Sequence, residues 1–305
     1  MNFDVSNCRS QGRKLDASLI ARLTETDFAQ QTAAELRSRL MHDGYLLLRQ
    51  VLNVEQVRAA RQEVFERLVH VGEIAEPASE GRFTGVSRRR ETVEDLGRFW
   101  QSVSEGPQLR HVSHGPDIQR VMDRLFGEPG RAHDYLFLRP GVPGRSTDLH
   151  YDHPFFARGS SRIHTVWTPL GDIPVSDGPL LVVEGSQNFE DLIAAARSVD
   201  YASNDTPQVQ LSKAPDELAR ERGVRLLTAD FRAGDVIVFN MTLLHGSLDN
   251  QSEAGRTRLS CDVRWQPAID PVDPRYAGPS PSGTTGVGYG ELNGAKPLTE
   301  SWHKR

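Results

Sequence analysis

The sequence predicts a mainly β protein with helices, in which N-terminal helices pack on one barrel or double-sheet jelly roll. Three observations carry this. Short strand-like apolar stretches recur from His133 to Trp265, Gly- and Pro-containing turns separate them, and the first third of the chain has helical spacing instead. Many short strands of this kind protect their edges by closing into a barrel or by stacking as a double sheet.

The elements follow in order. Thr32–Leu40 has helical apolar spacing and stops near Asp43-Gly44, and Tyr45–Leu48 is a short apolar strand. Asn53 is an N-cap for a helix through Val57, Ala60, Val64 and Leu68. Further helices open at Thr92–Asp95 and at Pro116-Asp117. The strands expected beyond His133 are Asp134–Arg139, Thr147–Tyr151, Ile163–Leu170, Leu180–Glu184, Asp235–Phe239 and Arg256–Trp265. Pro140-Gly141, Pro143-Gly144, Asp177-Gly178-Pro179 and Ala233-Gly234 mark turns between them. The expected organisation is one domain over 1–305: helical support 1–132, barrel core 133–266 and irregular tail 267–305. The polar segment Asp200–Arg222 and the Pro/Gly-rich tail are candidate covers for a site.

Composition excludes several classes. Of 305 residues, 37% are hydrophobic and 25% charged, ordinary values for a globular protein. A formal net charge of -5 gives no general attraction to nucleic acid or anionic membrane. No apolar run has the length of a membrane span, and Met1–Ser6 lacks the basic and apolar regions of a secretory signal. Cys8 and Cys261 supply neither a disulfide framework nor a zinc-finger spacing. A reducing cytoplasm is the expected location.

The chemistry is concentrated in His150-Tyr151-Asp152 and the distant His245. On a strand, residues two apart share a face, so His150 and Asp152 are expected to point together, with Leu149 and Tyr151 opposite. Two imidazoles and one carboxylate on one side of a metal, with open positions opposite, are the set used by non-heme Fe(II) oxygenases. Other histidines nearby, His153 and His164, compete for a ligand assignment. Downstream, Arg256, Arg258, Ser260 and Asp262 alternate with Thr257, Leu259, Cys261 and Val263. A polar strand face inside a barrel is costly unless it meets charge, and an arginine fork pairs well with a carboxylate. Arg139, Arg158 and Arg162 flank the motif and belong either to a solvated rim or to an anionic substrate.

From Asp43-Gly44-Tyr45 to about Trp265 the chain resembles the phytanoyl-CoA hydroxylase (PhyH-like) family of Fe(II)- and 2-oxoglutarate-dependent dioxygenases. The resemblance is carried by Leu149-His150-Tyr151-Asp152, by Asp177–Ser186, and by His245-Gly246-Ser247 through Arg256 to Ser260, in that order and spacing. It implies a double-stranded β-helix of the cupin-like, jelly-roll type, with His150, Asp152 and His245 as iron ligands. It implies that Arg256 holds the far carboxylate of 2-oxoglutarate, with Arg258 on the same strand face as the alternative. It implies cosubstrate or pocket roles for Ser247, Trp167 and Tyr135. The implied cofactors are Fe(II), 2-oxoglutarate and O2, and the implied reaction oxidises a small molecule, by hydroxylation first, with release of succinate and CO2. Desaturation, cyclisation or epimerisation are open to the same oxidant, and a non-catalytic binding barrel is the alternative from another class. Two departures stand out: Tyr151 where many members have Gln, and Glu184-Gly185-Ser186-Gln187 in place of Pro-Gly-Ser-His. Halogenating relatives carry a small residue at the carboxylate position, so the intact Asp152 points to oxidation.

Overall fold

A computed structural model of the chain describes residues 3–203 and 214–300. Two short strands, β1 (Arg9–Ser10) and β2 (Arg13–Lys14), form an N-terminal hairpin, followed by β3 (Ile20–Arg22). Helix α1 (Ala33–Asp43) starts at a capping box, in which Thr32 and Glu35 satisfy each other's backbone N–H groups. It ends at Gly44, whose left-handed φ of 81° lets the chain turn at once into β4 (Tyr45–Leu48). Asn53 caps α2 (Val54–His70), as its sequence predicts, by accepting from the N–H groups of Glu55 and Gln56. The short α3 (Arg89–Thr92) precedes α4 (Leu96–Ser104), capped by Asp95. Pro107 and Pro116 then open α5 (Pro107–His114) and α6 (Pro116–Phe126), each at a first helical position where no N–H is needed.

The remaining strands are β5 (Gly130–Ala132), β6 (Phe137–Gly141), β7 (His164–Pro169), β8 (Leu180–Val183), β9 (Leu226–Thr228), β10 (Val236–Asn240), β11 (His245–Ser247) and β12 (Arg258–Pro267). Two helices, α7 (Glu190–Arg197) and α8 (Pro215–Arg222), lie between β8 and β9. The larger sheet has the order β4-β10-β7-β12-β5, with β6 also paired to β12, and the smaller has β11-β8-β9-β3. The two stacked sheets are the jelly roll that the sequence predicts. The N-terminal third is more than helical support, because β3 and β4 complete the edges of the two sheets.

The side-chain period of two explains why the large sheet tolerates uninterrupted apolar runs. Tyr45, Leu47, Ile237, Phe239 and Trp167 face the space between the sheets, whereas Leu46, Leu48, Val236, Val238 and Val166 pack with the helices on the outside. Strand β12 divides its faces by polarity. Leu259, Cys261, Val263 and Trp265 join the helix-side core, which leaves Arg258, Ser260, Asp262 and Arg264 on the inner face, and all ten residues of the strand are buried.

Three sequence expectations differ in detail. Thr147–Tyr151 is not a strand of its own but reaches β11 through a single bridge, His150 to His245. Strands β3, β5, β9 and β11 and helices α5, α7 and α8 are too short or too weakly periodic to stand out in the sequence. The Asp200–Arg222 segment ends in α8, whose Leu218 and Ala219 pack under the small sheet, and its residues 204–213 lie outside the described residues. Among the described residues the tail carries only short 3-10 turns, at Pro274–Tyr276, Gly288–Glu291 and Asn293–Ala295. It is held by the buried Arg89–Glu73 pair, through Arg89 donating to the carbonyls of Gly294 and Lys296 and Leu298 N–H donating to Glu73.

Two histidines, the buried His133 and the partly buried His114, make this fold acid-sensitive. Burial pushes both His114 and His133 down to about 4, with Arg110 adding to the effect at His114. The unfolded chain takes up these protons from near pH 6.5 downward, the folded chain only near pH 4. Stability is therefore full above 6.5 and falls as pH drops toward 4, by about 2 kcal/mol per histidine at pH 5. Urea unfolding of His133→Gln between pH 7 and 5 is expected to show a shallower loss than the unaltered protein, and an identical slope would contradict this.

Candidate metal centre

The centre forms where the segment before β7 crosses β11. His150 and His245 exchange backbone hydrogen bonds at 2.9 and 3.1 Å, and the Ser247 hydroxyl accepts from Thr147 N–H at 2.8 Å. Gly246 between them is obligatory, because a Cβ there would sit 2.6 Å from the Thr147 carbonyl oxygen. Gly246→Ala is expected to push the two segments apart and to lower metal affinity or soluble yield. Unchanged metal affinity and melting temperature would show that the crossing is not tight.

Leu149 and Tyr151 face the apolar cluster beneath α7 and α8, so His150 points the other way, into the barrel. The expected alternation thus holds for His150. For Asp152 the reason differs: it has left extended geometry (φ -75°, ψ -24°) and starts a short 3-10 turn, His153–Phe155, that swings its carboxylate back beside His150. The structure brings together all three residues expected as ligands. One donor atom from each of His150, Asp152 and His245 lies within 4.8 Å of the others. Asp152 Oδ1 is 3.7 Å from His150 Nε2 and 4.0 Å from His245 Nε2.

Each ligand is oriented from behind. His150 Nδ1 is 2.8 Å from the Asp148 carbonyl and His245 Nδ1 is 3.0 Å from that of Leu243, so each Nδ1 carries the proton and each Nε2 offers a lone pair. Asp152 Oδ2 accepts from Thr165 Oγ1 at 2.6 Å and from Arg264 at 2.7 Å, which leaves Oδ1 for a cation. Burial alone would raise the Asp152 pKa, but Arg264, His245 and His150 hold it well below the usual carboxylate range. Burial pushes His150 down to about 3, with His245 adding to the effect, and burial also lowers His245. An ionised carboxylate beside two neutral imidazoles is a donor set suited to a divalent first-row metal such as iron.

His150 and His245 line a small pocket, partly open to solvent, together with Arg139, Thr147, Trp167, Phe239, Ser247 and Arg258, among others. Ser247 and Trp167, for which the resemblance implies cosubstrate or pocket roles, are both in this lining. Arg258 is 4% exposed, its Nη1 donates to Ser260 Oγ at 2.7 Å, and its Nε has no partner among the described residues. Burial, with Arg139 close by, pushes it down to about 10, so it stays charged at neutral pH.

Two expected residues are elsewhere. Arg256 forms a two-pronged pair with Asp177 (2.9 and 3.0 Å) and lines clefts on the outside of the protein. It lies before β12 begins, and Asp177, just ahead of the Gly178 turn, takes its fork. Tyr135 also precedes its strand, β6. It is fully buried in the helix-side core, stacked on Tyr289 at 4.7 Å, with its hydroxyl donating to Gly288 and Glu291. Neither lines the cavity. Sequence reasoning missed Thr165, Asp262 and Arg264 as site residues, although Asp262 and Arg264 continue the alternating polar face that singled out Arg258. The two departures from the family pattern sit together, away from the metal: Tyr151 donates to the Ser186 carbonyl, and Gln187 to that of His42. Arg158 and Arg162 belong to the rim, paired with Asp200 and with Asp270 and Glu128.

Comparison with known proteins agrees with this site. The family model for phytanoyl-CoA dioxygenase (PhyH) matches residues 40–258. The chain is 26% identical over 242 residues to 1-deoxypentalenic acid 11-beta-hydroxylase of Streptomyces arenae, covering 74% of this chain and 78% of that one. It is 25% identical over 256 residues to ectoine dioxygenase of Bordetella bronchiseptica, covering 77% and 76%. Among solved structures, it shares the fold of the non-heme alpha ketoglutarate dependent carbocyclase SnoK (TM-score 0.51, 21% identity, 79% and 87% covered). It shares the fold equally with EctD from S. alaskensis (TM-score 0.51, 16% identity, 87% and 88% covered). No helix among the described residues is long and apolar enough to cross a membrane. With the ligand set, the jelly roll and a match over most of its length, the chain belongs to the phytanoyl-CoA dioxygenase (PhyH) family of iron- and 2-oxoglutarate-dependent oxygenases.

Proposed function

We propose that this protein hydroxylates a small molecule at an Fe(II) centre held by His150, Asp152 and His245, with 2-oxoglutarate anchored by Arg258. The observation that carries the reading is the three-ligand cluster beside a pocket that His150 and His245 share with a buried, incompletely satisfied guanidinium, Arg258. The relatives named for 1-deoxypentalenic acid and for ectoine support a small-molecule substrate. When bound, Fe(II), 2-oxoglutarate and O2 supply the oxidising power, and the cosubstrate leaves as succinate and CO2.

The chain's own residues position and insulate. Asp152 Oδ1 and the two Nε2 atoms would hold the metal from one side, with the other free for cosubstrate and oxygen. Arg258, itself buried, would neutralise the far carboxylate of the cosubstrate, where low local polarity makes a charge pair strong. Ser247 adds a polar contact, while Trp167, Phe239 and Leu180 form dry walls that keep water from the reacting atoms. No side chain has to act as nucleophile or general base.

The test is Fe(II)-dependent succinate release in a screen of candidate metabolites. Release is expected to need Fe(II), 2-oxoglutarate and O2 together, to rise with the true substrate, and to vanish in His245→Ala. Succinate release that persists in His245→Ala would refute the assignment.

A further inference from the structure

The cavity carries more positive charge than this chemistry uses. Three guanidiniums, Arg139, Arg258 and Arg264, stand around two carboxylates, Asp152 and Asp262. Imidazoles that present Nε2 to a cation are neutral, so the set has one positive charge in excess. A divalent ion and the dianionic cosubstrate cancel each other and leave that excess in place. An uncompensated charge among mostly buried side chains is costly, so it favours one more anion.

The three arginines are not equivalent. Arg264 is committed: it is 1% exposed, lies between the rings of Phe137 and Phe156, and donates to Asp152. Arg258 is the anchor assigned above. Arg139 alone is tied at one edge and unspent at the other. Its Nε donates to Asp262 Oδ2 at 2.6 Å, which fixes the plane of the guanidinium. Its terminal nitrogens make no hydrogen bond to any described residue, and the side chain is 24% exposed, lining the same cavity as His150 and His245. A planar fork held by its rear nitrogen is preorganised for a planar anion.

We propose that Arg139 is a carboxylate-binding residue for the substrate, and hence that the substrate is a small molecule bearing a carboxylate. This rests on the iron and 2-oxoglutarate reading of the cavity. The same fork would also fit the near carboxylate of 2-oxoglutarate, so the test must separate the two sources.

The test uses the full-length Fe(II) protein without O2, saturated with 2-oxoglutarate. Octanoate or octanamide is titrated in, and the change in the metal-centred absorption is followed. Octanoate is expected to bind at least about tenfold more tightly than octanamide, the effect of one charge-assisted contact. Arg139→Gln should abolish that preference while 2-oxoglutarate binding is retained, and Arg139→Lys, which keeps the charge, should restore part of it. Thermal melts of both variants establish that they are folded. Equal binding of octanoate and octanamide to the unaltered protein would overturn the proposal. So would a loss of 2-oxoglutarate affinity in Arg139→Gln as large as the loss for octanoate, which would assign the fork to the cosubstrate. Failure of the underlying reading looks different: no absorption band would form with 2-oxoglutarate before any octanoate is added, and both proposals would fall.

Discussion

Asp152→Ala is expected to abolish succinate release and to destabilise the fold in the same step. The carboxylate has two jobs on its two oxygens. Oδ1 faces the histidine nitrogens, while Oδ2 receives Thr165 and the buried Arg264. Removing it deletes a metal ligand and leaves a guanidinium, itself 2% exposed in its side chain, without its main partner. Breaking a buried pair from one side costs about 3–5 kcal/mol, because the remaining charge is left uncompensated. Calorimetry and a metal titration on the same sample check both parts. A variant that loses metal binding but keeps its melting temperature would show that Arg264 finds another partner. One that keeps metal binding would remove Asp152 from the ligand set.

Arg258→Ala is the second large effect expected. Deleting one partner of an enclosed charge pair costs about 2–5 kcal/mol, so the dissociation constant for 2-oxoglutarate should rise at least about thirtyfold. Arg256→Ala provides the contrast. Its pair with Asp177 is 42% exposed on the arginine side chain but only 4% on the aspartate, so its loss is expected to cost some stability and to leave the cavity unchanged. The variant should fold and bind 2-oxoglutarate almost normally. Calorimetric titration of both variants decides between the two arginines. A large loss in Arg256→Ala with none in Arg258→Ala would return the anchor to the position that the family pattern implies.

Much of the fold and the ligand set is legible in the sequence because both depend on short-range regularities. The caps at Thr32, Asn53 and Asp95 satisfy local backbone groups, and the two-sided burial of β4, β8 and β10 is written as apolar runs. The polar alternation of β12 marks a charged barrel interior. The ligands were identifiable as H-x-D plus a distant histidine, yet the strand argument places only His150 correctly. Asp152 reaches the metal through a 3-10 turn that no alternation predicts. The choice between Arg256 and Arg258 was not legible either. Both lie on one face of the same alternating pattern, and what separates them is a long-range partner, Asp177, some eighty residues away in sequence but joined at 2.9 Å. Tyr135 illustrates the same limit: β6 begins three residues later than the pattern implies, and the ring turns into the helix-side core. Such placements depend on tertiary partners, which periodicity does not encode.

The most direct test of the centre is optical. Fe(II) is added without O2 to the unaltered protein, followed by 2-oxoglutarate, and the visible charge-transfer band of a metal-chelated keto acid is monitored. The expected result is a band in the unaltered protein and in Arg256→Ala, no band in Asp152→Ala, and in Arg258→Ala a band that appears only at much higher 2-oxoglutarate concentration. A band that forms equally well in Asp152→Ala, or none in the unaltered protein, would contradict an iron and 2-oxoglutarate site at His150, Asp152 and His245.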